Sequence, residues 1–181
     1  MKNIFKTLIL CDIKHFIKKD GYVSFGSGYN IKKLDGLEKL GSLRKLNLSF
    51  NNVDDLNPIS NLKQLHTLQL FRNNGEIKTL KDLESLENLI KLELTHSSVE
   101  DISAISNLKN LQTLDLQYNN ISDITALEDL TNLSYLCLDC CNISDISALS
   151  NLKNLNNLYL QGNAITDISD LSELIELEKL W

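Results

Sequence analysis

The segment LQTLDLQYNNISDITALEDLTNLSYLCLDCCNISDISALSNLKNL, Leu111 to Leu155, returns almost the same apolar residues every 22 positions. Leucine or isoleucine stands at both members of six pairs: Leu114 and Leu136, Leu116 and Leu138, Ile121 and Ile143, Ile124 and Ile146, Leu127 and Leu149, Leu130 and Leu152. The residues between them, such as Gln112 and Tyr118, change freely from one copy to the next. This fixed period predicts a solenoid, in which each turn of the chain, here called a rung, buries the apolar face of its neighbours.

The same core pattern, Leu-x-x-Leu-x-Leu, extends over most of the chain. It starts at Leu43, Leu65, Leu89, Leu111, Leu133, Leu155 and Leu177. The spacing is 22 residues except after Leu65, where the stretch NNGEI adds two. We therefore predict a degenerate first repeat at 22–42 and repeats at 43–181, of which six are full and the seventh is either incomplete or a C-terminal cap.

Within a rung, apolar and polar residues alternate over a short stretch. Leu114 and Leu116 alternate with Thr113 and Asp115, which is the period-2 pattern of a strand with one buried face. Stacked rungs then give a parallel sheet. The position after each strand is Asn51, Asn73, Ser97, Asn119, Cys141 or Asn163. An asparagine there can bond backbone groups of the turn and of the next rung.

On the outer side, an aspartate precedes each predicted short helical turn. These aspartates are Asp55, Asp101, Asp123, Asp145 and Asp167. A carboxylate at the start of a helical turn accepts backbone N–H bonds and suits the positive end of the dipole. A column of calcium ligands is the alternative, but capping explains every member.

From Leu43 to Leu180 the repeats resemble the 22-residue class of leucine-rich repeat, L-x-x-L-x-L-x-x-N-x-I-x-D-I-x-x-L-x-x-L, which includes bacterial internalins and the regulatory subunit of type-one protein phosphatase. NNISDITAL and CNISDISAL are especially similar to the internalin form. The resemblance implies an α/β leucine-rich-repeat solenoid, with a curved parallel sheet on the concave side and short helical or 3-10 turns on the convex side. It also implies a protein-binding role. Ser97, Cys141 and the longer third rung depart from the pattern.

The two ends of the array need caps, because an end rung exposes apolar core and an unpaired strand edge. Residues 1–21 are predicted to form an amphipathic capping helix, since apolar residues recur there at helical spacing with lysines between them. The alternative is a basic amphipathic helix on an anionic membrane. At the other end, DLSELIELEKLW is predicted to form either a short final rung or a final helix. An exposed last strand could pair with a second copy of the chain, so we expect a monomer or weak dimer.

Composition narrows the classes of function. A formal charge of −6 argues against general nucleic-acid binding, which needs a basic face. No apolar run approaches the roughly 18 residues that would span a membrane. The first residues lack the long apolar run and the cleavage site of a signal peptide. Three of the four cysteines lie within five residues, which favours reduced thiols. We expect a cytoplasmic protein, the alternative being a secreted relative without its signal.

Enzymatic and metal chemistry find little support in the residue pattern. The three histidines, His15, His66 and His96, are scattered. Cys137-x-x-Cys140 has a spacing typical of zinc ligands, but a structural site normally needs a second such pair. We expect no enzyme, no cofactor and no catalytic or metal-binding residue.

The free strand positions are the candidate site. Glu93 and Asp115 are predicted to lie side by side, although like charges opposite each other are mildly destabilising. Tyrosines flank them, and tyrosine is a favoured anchor in interfaces. The predicted partner-binding residues are Phe71, Glu93, Asp115, Gln117, Tyr118, Tyr135, Asp139 and Tyr159. The alternative is an ordinary solvated sheet in which Lys91 neutralises Glu93.

The sequence thus predicts a non-enzymatic protein–protein recognition module whose concave sheet binds a basic or amide-rich segment of a protein partner. The alternative is a structural module that self-assembles through an exposed end of the solenoid and has no dedicated ligand on that face.

Overall fold

The computed structural model describes residues 20–25, 30–73 and 76–181. These residues form a parallel sheet of eight strands, whose spatial order is their chain order. The strands are β1 (Tyr22–Ser24), β2 (Lys45–Asn47), β3 (Thr67–Gln69), β4 (Lys91–Glu93), β5 (Thr113–Asp115), β6 (Tyr135–Cys137), β7 (Asn157–Tyr159) and β8 (Lys179–Leu180). The predicted capping helix at 1–21 falls almost entirely outside the described residues.

A short 3-10 helix crosses the opposite side of each rung. The helices are η1 (Leu37–Lys39), η2 (Asn57–Ile59), η3 (Lys81–Leu83), η4 (Ser103–Asn107), η5 (Thr125–Leu127), η6 (Ser147–Leu149) and η7 (Ser169–Leu171). Such helices stay short because their hydrogen-bond geometry is poorer than that of an α-helix. The predicted solenoid, with a sheet on one side and 3-10 turns on the other, is confirmed.

The strand register places equivalent residues of successive rungs directly opposite each other. Leu92 pairs with Leu114, and Leu114 pairs with Leu136. The two extra residues between Leu65 and Leu89 leave this register intact, since Leu68 still pairs with Leu92. The turn after β3 therefore absorbs the insertion, because a slip of the strand would expose the buried leucines.

The core is one continuous column of aliphatic side chains between the sheet and the 3-10 helices. In the rung of β5, for example, Leu114, Leu116, Ile121 and Leu127 are each 0% exposed. Burying one such side chain stabilises the fold by about 1.5–3 kcal/mol before entropy is counted. Because each rung buries these side chains against the rungs beside it, a single rung would not fold stably by itself.

The asparagine that follows a strand ties two rungs together through backbone hydrogen bonds. The amide nitrogen of Asn119 donates to the carbonyls of Leu94 (2.8 Å) and Leu116 (2.7 Å). Its oxygen accepts from the N–H groups of Ser97 (3.1 Å) and Val99 (2.9 Å). Leu94, Ser97 and Val99 belong to the preceding rung, so the prediction of bonds to the next rung was wrong in direction.

Serine and cysteine make fewer of these bonds. The hydroxyl of Ser97 donates to the carbonyls of Leu70 and Thr95, both at 3.2 Å. The thiol of Cys141 donates to the carbonyl of Leu116 at 3.4 Å. Cys141 is buried, as expected for a small thiol in place of asparagine.

A second asparagine column, which the sequence analysis did not predict, joins the rungs on the exposed side. Its members each donate from the side chain to a carbonyl of the rung before. The bonds run from Asn88 to Lys63 (2.8 Å), Asn110 to Glu87 (2.9 Å), Asn132 to Lys109 (2.7 Å) and Asn154 to Thr131 (2.7 Å). These bonds satisfy carbonyls that the preceding turn leaves unpaired.

The predicted capping by aspartate is confirmed. In each case one carboxylate oxygen accepts from the N–H two residues further on, the first residue of the 3-10 helix. The distances are 2.9 Å for Asp55, 2.8 Å for Asp101 and 2.9 Å for Asp123, Asp145 and Asp167. These bonds hold the pKa values of Asp101, Asp123, Asp145 and Asp167 below the usual value, because they favour the ionised carboxylate.

The last residues of the chain form η7 and then β8, which pairs with β7, and not a final helix. Apolar side chains remain open on this rung. Ile168, Ile175, Leu180 and Trp181 are 61%, 83%, 49% and 63% exposed. No described strand covers the outer edge of β8.

Candidate functional site

The sheet places the predicted site residues in straight columns across the strands. Glu93 lies opposite Asp115, Asp115 opposite Cys137, and Cys137 opposite Tyr159. The strand leucines point into the core, so the residues that alternate with them face the other side of the sheet. These columns form the face of the sheet that is the candidate site.

Glu93 is already partnered within the chain. The ammonium of Lys91 lies 2.8 Å from one carboxylate oxygen of Glu93, and the side chain of Gln69 donates to the other at 2.6 Å. The predicted alternative, in which Lys91 neutralises Glu93, is therefore present. Both charged groups stay partly exposed, so the pair itself contributes little to stability.

Asp115, in contrast, forms no ion pair with any lysine or arginine of the described residues. Its carboxylate accepts from the backbone N–H of Gln117 at 3.2 Å and from the side chain of Gln117 at 3.4 Å. Burial, with a smaller contribution from the charge of Glu93, raises the pKa of Asp115. The strand thus holds a poorly solvated negative charge for which folding provides no cation.

The remaining predicted residues lie towards β6 and β7. The rings of Tyr135 and Tyr159 are half-buried against each other, with centroids 5.5 Å apart. Burial raises the pKa of Tyr135, so its hydroxyl keeps its proton as a hydrogen-bond donor. One oxygen of Asp139 accepts from the backbone N–H of Gln161 at 2.7 Å, which fixes this carboxylate between two rungs.

An aromatic column runs along the ends of the strands, and the sequence analysis identified only part of it. The column contains Phe50, His96 and Tyr118, with φ angles of 59°, 52° and 55°, and Arg72, with a φ angle of 47°, lies between Phe50 and His96. This left-handed conformation is unfavourable for bulky side chains and suits glycine or asparagine. Aromatic residues nevertheless occupy these positions, and two of them, Phe50 and Tyr118, are 45% and 48% exposed.

Phe71 lies between Phe50 and His96 and contacts both rings, and His96 in turn contacts Tyr118. Phe50 and Phe71 meet edge to face, with centroids 5.1 Å apart. His96 stacks on Tyr118, with centroids 4.2 Å apart and planes at 12°. Phe50 and His96 were missed as site residues. Their equivalent positions in the repeat, in the same column as Arg72 and Tyr118, were the signal that could have found them.

A groove of about 450 Å³ crosses the first five strands. It is lined by Phe25, Asn47, Ser49, Phe50, Gln69, Phe71, Glu93, Thr95 and Asp115. Three predicted site residues, Phe71, Glu93 and Asp115, therefore meet in one groove. The other five, Gln117, Tyr118, Tyr135, Asp139 and Tyr159, lie outside its lining, on the same face and further along the solenoid.

Thiol chemistry is suppressed at two of the three described cysteines. Cys137, Cys140 and Cys141 are free. Burial raises the pKa of Cys137 to about 12 and that of Cys141 to about 11, so both are protonated at neutral pH. Over the described ranges, no three or more histidine, cysteine or acidic side chains cluster so as to hold a metal ion. No helix within those ranges has the length and apolar character needed to cross a membrane.

Comparison with known proteins assigns the family. The model for leucine-rich repeats (two copies) matches residues 87–129, 109–151 and 131–173. The crystal structure of internalin C2 from Listeria monocytogenes is 31% identical, with a TM-score of 0.84, over 88% of this chain and 70% of that protein. The chain belongs to the leucine-rich repeat family, and it is of the internalin-like type. Leucine-rich repeat proteins of this kind are commonly non-enzymatic modules for protein–protein interaction.

Two further structures extend the comparison. An internalin, InlF, from the same bacterium is 35% identical, with a TM-score of 0.82, over 87% of this chain and 45% of its own. A plant peptide hormone receptor, RGFR1, in complex with RGF2, is 25% identical, with a TM-score of 0.67, over 77% of this chain and 24% of its own. The chain thus spans less than half the length of these two proteins. A search of curated protein sequences gives no significant match.

Proposed function

We propose that the concave sheet of this chain binds a protein partner. The observation that carries the proposal is the exposure of Phe50 and Tyr118 in a backbone conformation that disfavours them. Folding alone would favour glycine or asparagine at these positions. Exposed aromatic side chains on a rigid sheet are typical anchors of protein interfaces.

The charge of the sheet supports a basic or amide-rich segment as the bound part of the partner. Asp115 has no cationic partner among the described residues, whereas Glu93 forms an ion pair with Lys91. A lysine or arginine from a partner could therefore form an ion pair with Asp115. The tyrosine pair at β6 and β7 adds a rim that can bury apolar surface and donate hydrogen bonds.

Affinity capture with two matched proteins tests this proposal. The double variant Asp115→Ala, Tyr135→Ala removes one carboxylate and one ring from the sheet. The control Glu128→Ala, Ile175→Ala removes one carboxylate and one apolar side chain from exposed positions elsewhere. We expect the wild type and the control to capture the same proteins and the double variant to lose them while melting at a similar temperature.

The captured partner is then purified and its affinity for all three proteins is measured by calorimetry. We expect the double variant to bind at least about tenfold more weakly, since a buried charge contact and a tyrosine anchor are lost. Equal affinity for all three proteins would reject the concave sheet as the site.

The predicted alternative, self-assembly through an end of the solenoid, has one observation in its favour. Leu180 and Trp181 are exposed beside β8, whose outer edge is not covered by any described strand. Light scattering over a range of concentrations distinguishes the two ideas. Dimers that dissociate in a Trp181→Ser variant would support the alternative, and a monomer at every concentration would reject it. The cytoplasmic location stays a prediction.

A further inference from the structure

We infer that the groove across the first five strands takes an extended segment of the partner in which an apolar residue and a lysine or arginine are four positions apart. The inference rests on the proposed function and narrows it to one part of the sheet. The sequence prediction spread the contact over more of the sheet, from Phe71 to Tyr159, with tyrosines flanking Glu93 and Asp115.

One end of the groove is apolar. Phe50 and Phe71 meet edge to face, and Phe50 is 45% exposed. Phe25 lines the same end. An apolar side chain placed against these rings would gain about 25 cal/mol for each Å² that it removes from water. This end therefore suits leucine, isoleucine, methionine or an aromatic residue.

The other end is acidic. Glu93 and Asp115 face the groove from neighbouring strands. Lys91 pairs with Glu93, and Asp115 has no cation among the described residues. The raised pKa of Asp115 is consistent with a carboxylate that lacks such a partner. A guanidinium or ammonium group would be held there by a charge-assisted hydrogen bond, which is about twice as strong as a neutral one.

The spacing of the strands sets the spacing in the ligand. Neighbouring strands lie about 4.8 Å apart, so the groove is about 19 Å long over five strands. The rings of Phe50 and Phe71 lie beside β2 and β3, and Asp115 lies on β5, so about two and a half strand spacings, or about 12 Å, separate them across the sheet. The rings also lie two to three residues further along their strands than Asp115, which brings the separation to about 14 Å. Side chains on one face of an extended peptide are about 7 Å apart for residues i and i+2, so about 14 Å corresponds to residues i and i+4.

A buried polar group between the two ends also lacks a partner. Thr95 lines the groove and is 1% exposed, and its hydroxyl makes no hydrogen bond. Leaving such a group unpaired costs about 1–3 kcal/mol. A peptide group of a bound segment could supply the missing partner, which favours a ligand with its own backbone hydrogen bonds over a purely apolar one.

Selection from a phage library of random heptapeptides, with the wild-type protein as bait, tests the inference. We expect enrichment of peptides in which an apolar residue and a lysine or arginine are four positions apart. The most enriched peptide is then synthesised with a fluorescein label and titrated by anisotropy. We expect Asp115→Asn to weaken the binding of this peptide about tenfold, because one charge-assisted hydrogen bond is lost. Phe50→Asn, which keeps the left-handed conformation accessible, should weaken it about fivefold.

Glu128→Gln and Ile175→Asn are the matched controls, because each removes the same type of group from an exposed position outside the groove. We expect less than a twofold effect from either. Thermal melting shows whether each variant is folded. Failure to enrich any motif, enrichment of acidic peptides, or equal binding by Asp115→Asn and wild type would overturn the inference.

The outcome also separates this inference from the proposed function. If the captured protein partner still depends on Asp115 and Tyr135 but is insensitive to Phe50→Asn, the groove is the wrong part of the sheet and concave recognition stands. If the partner ignores all three side chains, both ideas fail.

Discussion

The imidazole ring of His96 stacks on the phenol ring of Tyr118 across one strand spacing, with 4.2 Å between centroids. Both residues have φ angles above 50°, where glycine or asparagine would relax the backbone. Stacking recovers about 0.5–1.5 kcal/mol, which is similar to the cost of the strained backbone. The pair therefore brings folding little net gain, and its exposed surface is available for contact.

The asparagine column should be a main source of stability. Asn119→Ala removes the four close hydrogen bonds to Leu94, Leu116, Ser97 and Val99, and leaves buried backbone groups unpaired. We expect the free energy of unfolding to fall by about 3 kcal/mol, measured by urea denaturation. A loss below about 0.5 kcal/mol would show that the column is dispensable.

Much of the fold could be predicted because one signal, the alternation seen at Leu114 and Leu116, sets the strand, its buried face and its register together. The turn that absorbs the insertion between Leu65 and Leu89 follows from the same signal, since the leucines must stay buried. Asn132 was not predicted as a tie between rungs. Its bond to Lys109 depends on how closely two turns stack, and the local sequence around Asn132 reads as an ordinary exposed turn.

The candidate site was less predictable. The neighbouring positions of Glu93 and Asp115 followed from the repeat, and so did the ion pair with Lys91. Phe50 was missed because it follows the strand, at a left-handed position where an aromatic residue is not expected. The groove was missed because its depth depends on how the rings of Phe50 and Phe71 pack, which spacing alone does not reveal.

Gly162 should be hard to replace. It has a φ of 68°, and a Cβ added there would lie 2.9 Å from the sulfur of Cys140. We expect Gly162→Ala to lower the free energy of unfolding by about 1 kcal/mol. Gly41→Ala is the control, because nothing lies within 4 Å of the added Cβ. Equal stabilities of the two variants in thermal melts would contradict the strain at Gly162.

Asp115 should oppose folding at neutral pH. Its folded-state pKa is raised by burial, so its contribution to stability is complete below the unfolded pKa of about 3.9 and is lost as pH rises through the folded value. We therefore expect Asp115→Asn to stabilise the protein at pH 7 by a few tenths to about 1 kcal/mol, since a like-charge pair with Glu93 is removed. Below pH 3.5 or so the difference should vanish. A variant less stable than wild type at pH 7 would contradict this assignment.

The described cysteines should differ in reactivity. Cys137 and Cys141 are buried with raised pKa values, whereas Cys140 is partly exposed. We expect iodoacetamide at pH 8 to modify Cys140 first in the native protein with a Cys11→Ser background, followed by peptide mass spectrometry. Equal labelling of Cys137 would indicate that the sheet opens more readily than the packed core implies.

The most direct test of the account maps the partner onto the sheet. Backbone amide chemical shifts of the isotope-labelled protein are recorded as the captured partner is added. We predict that the changes cluster at Phe71, Thr95, Asp115, Gln117 and Tyr135, on the concave face. Changes confined to the opposite side, at Ser103–Asn107 and Thr125–Leu127, would contradict recognition by the concave sheet.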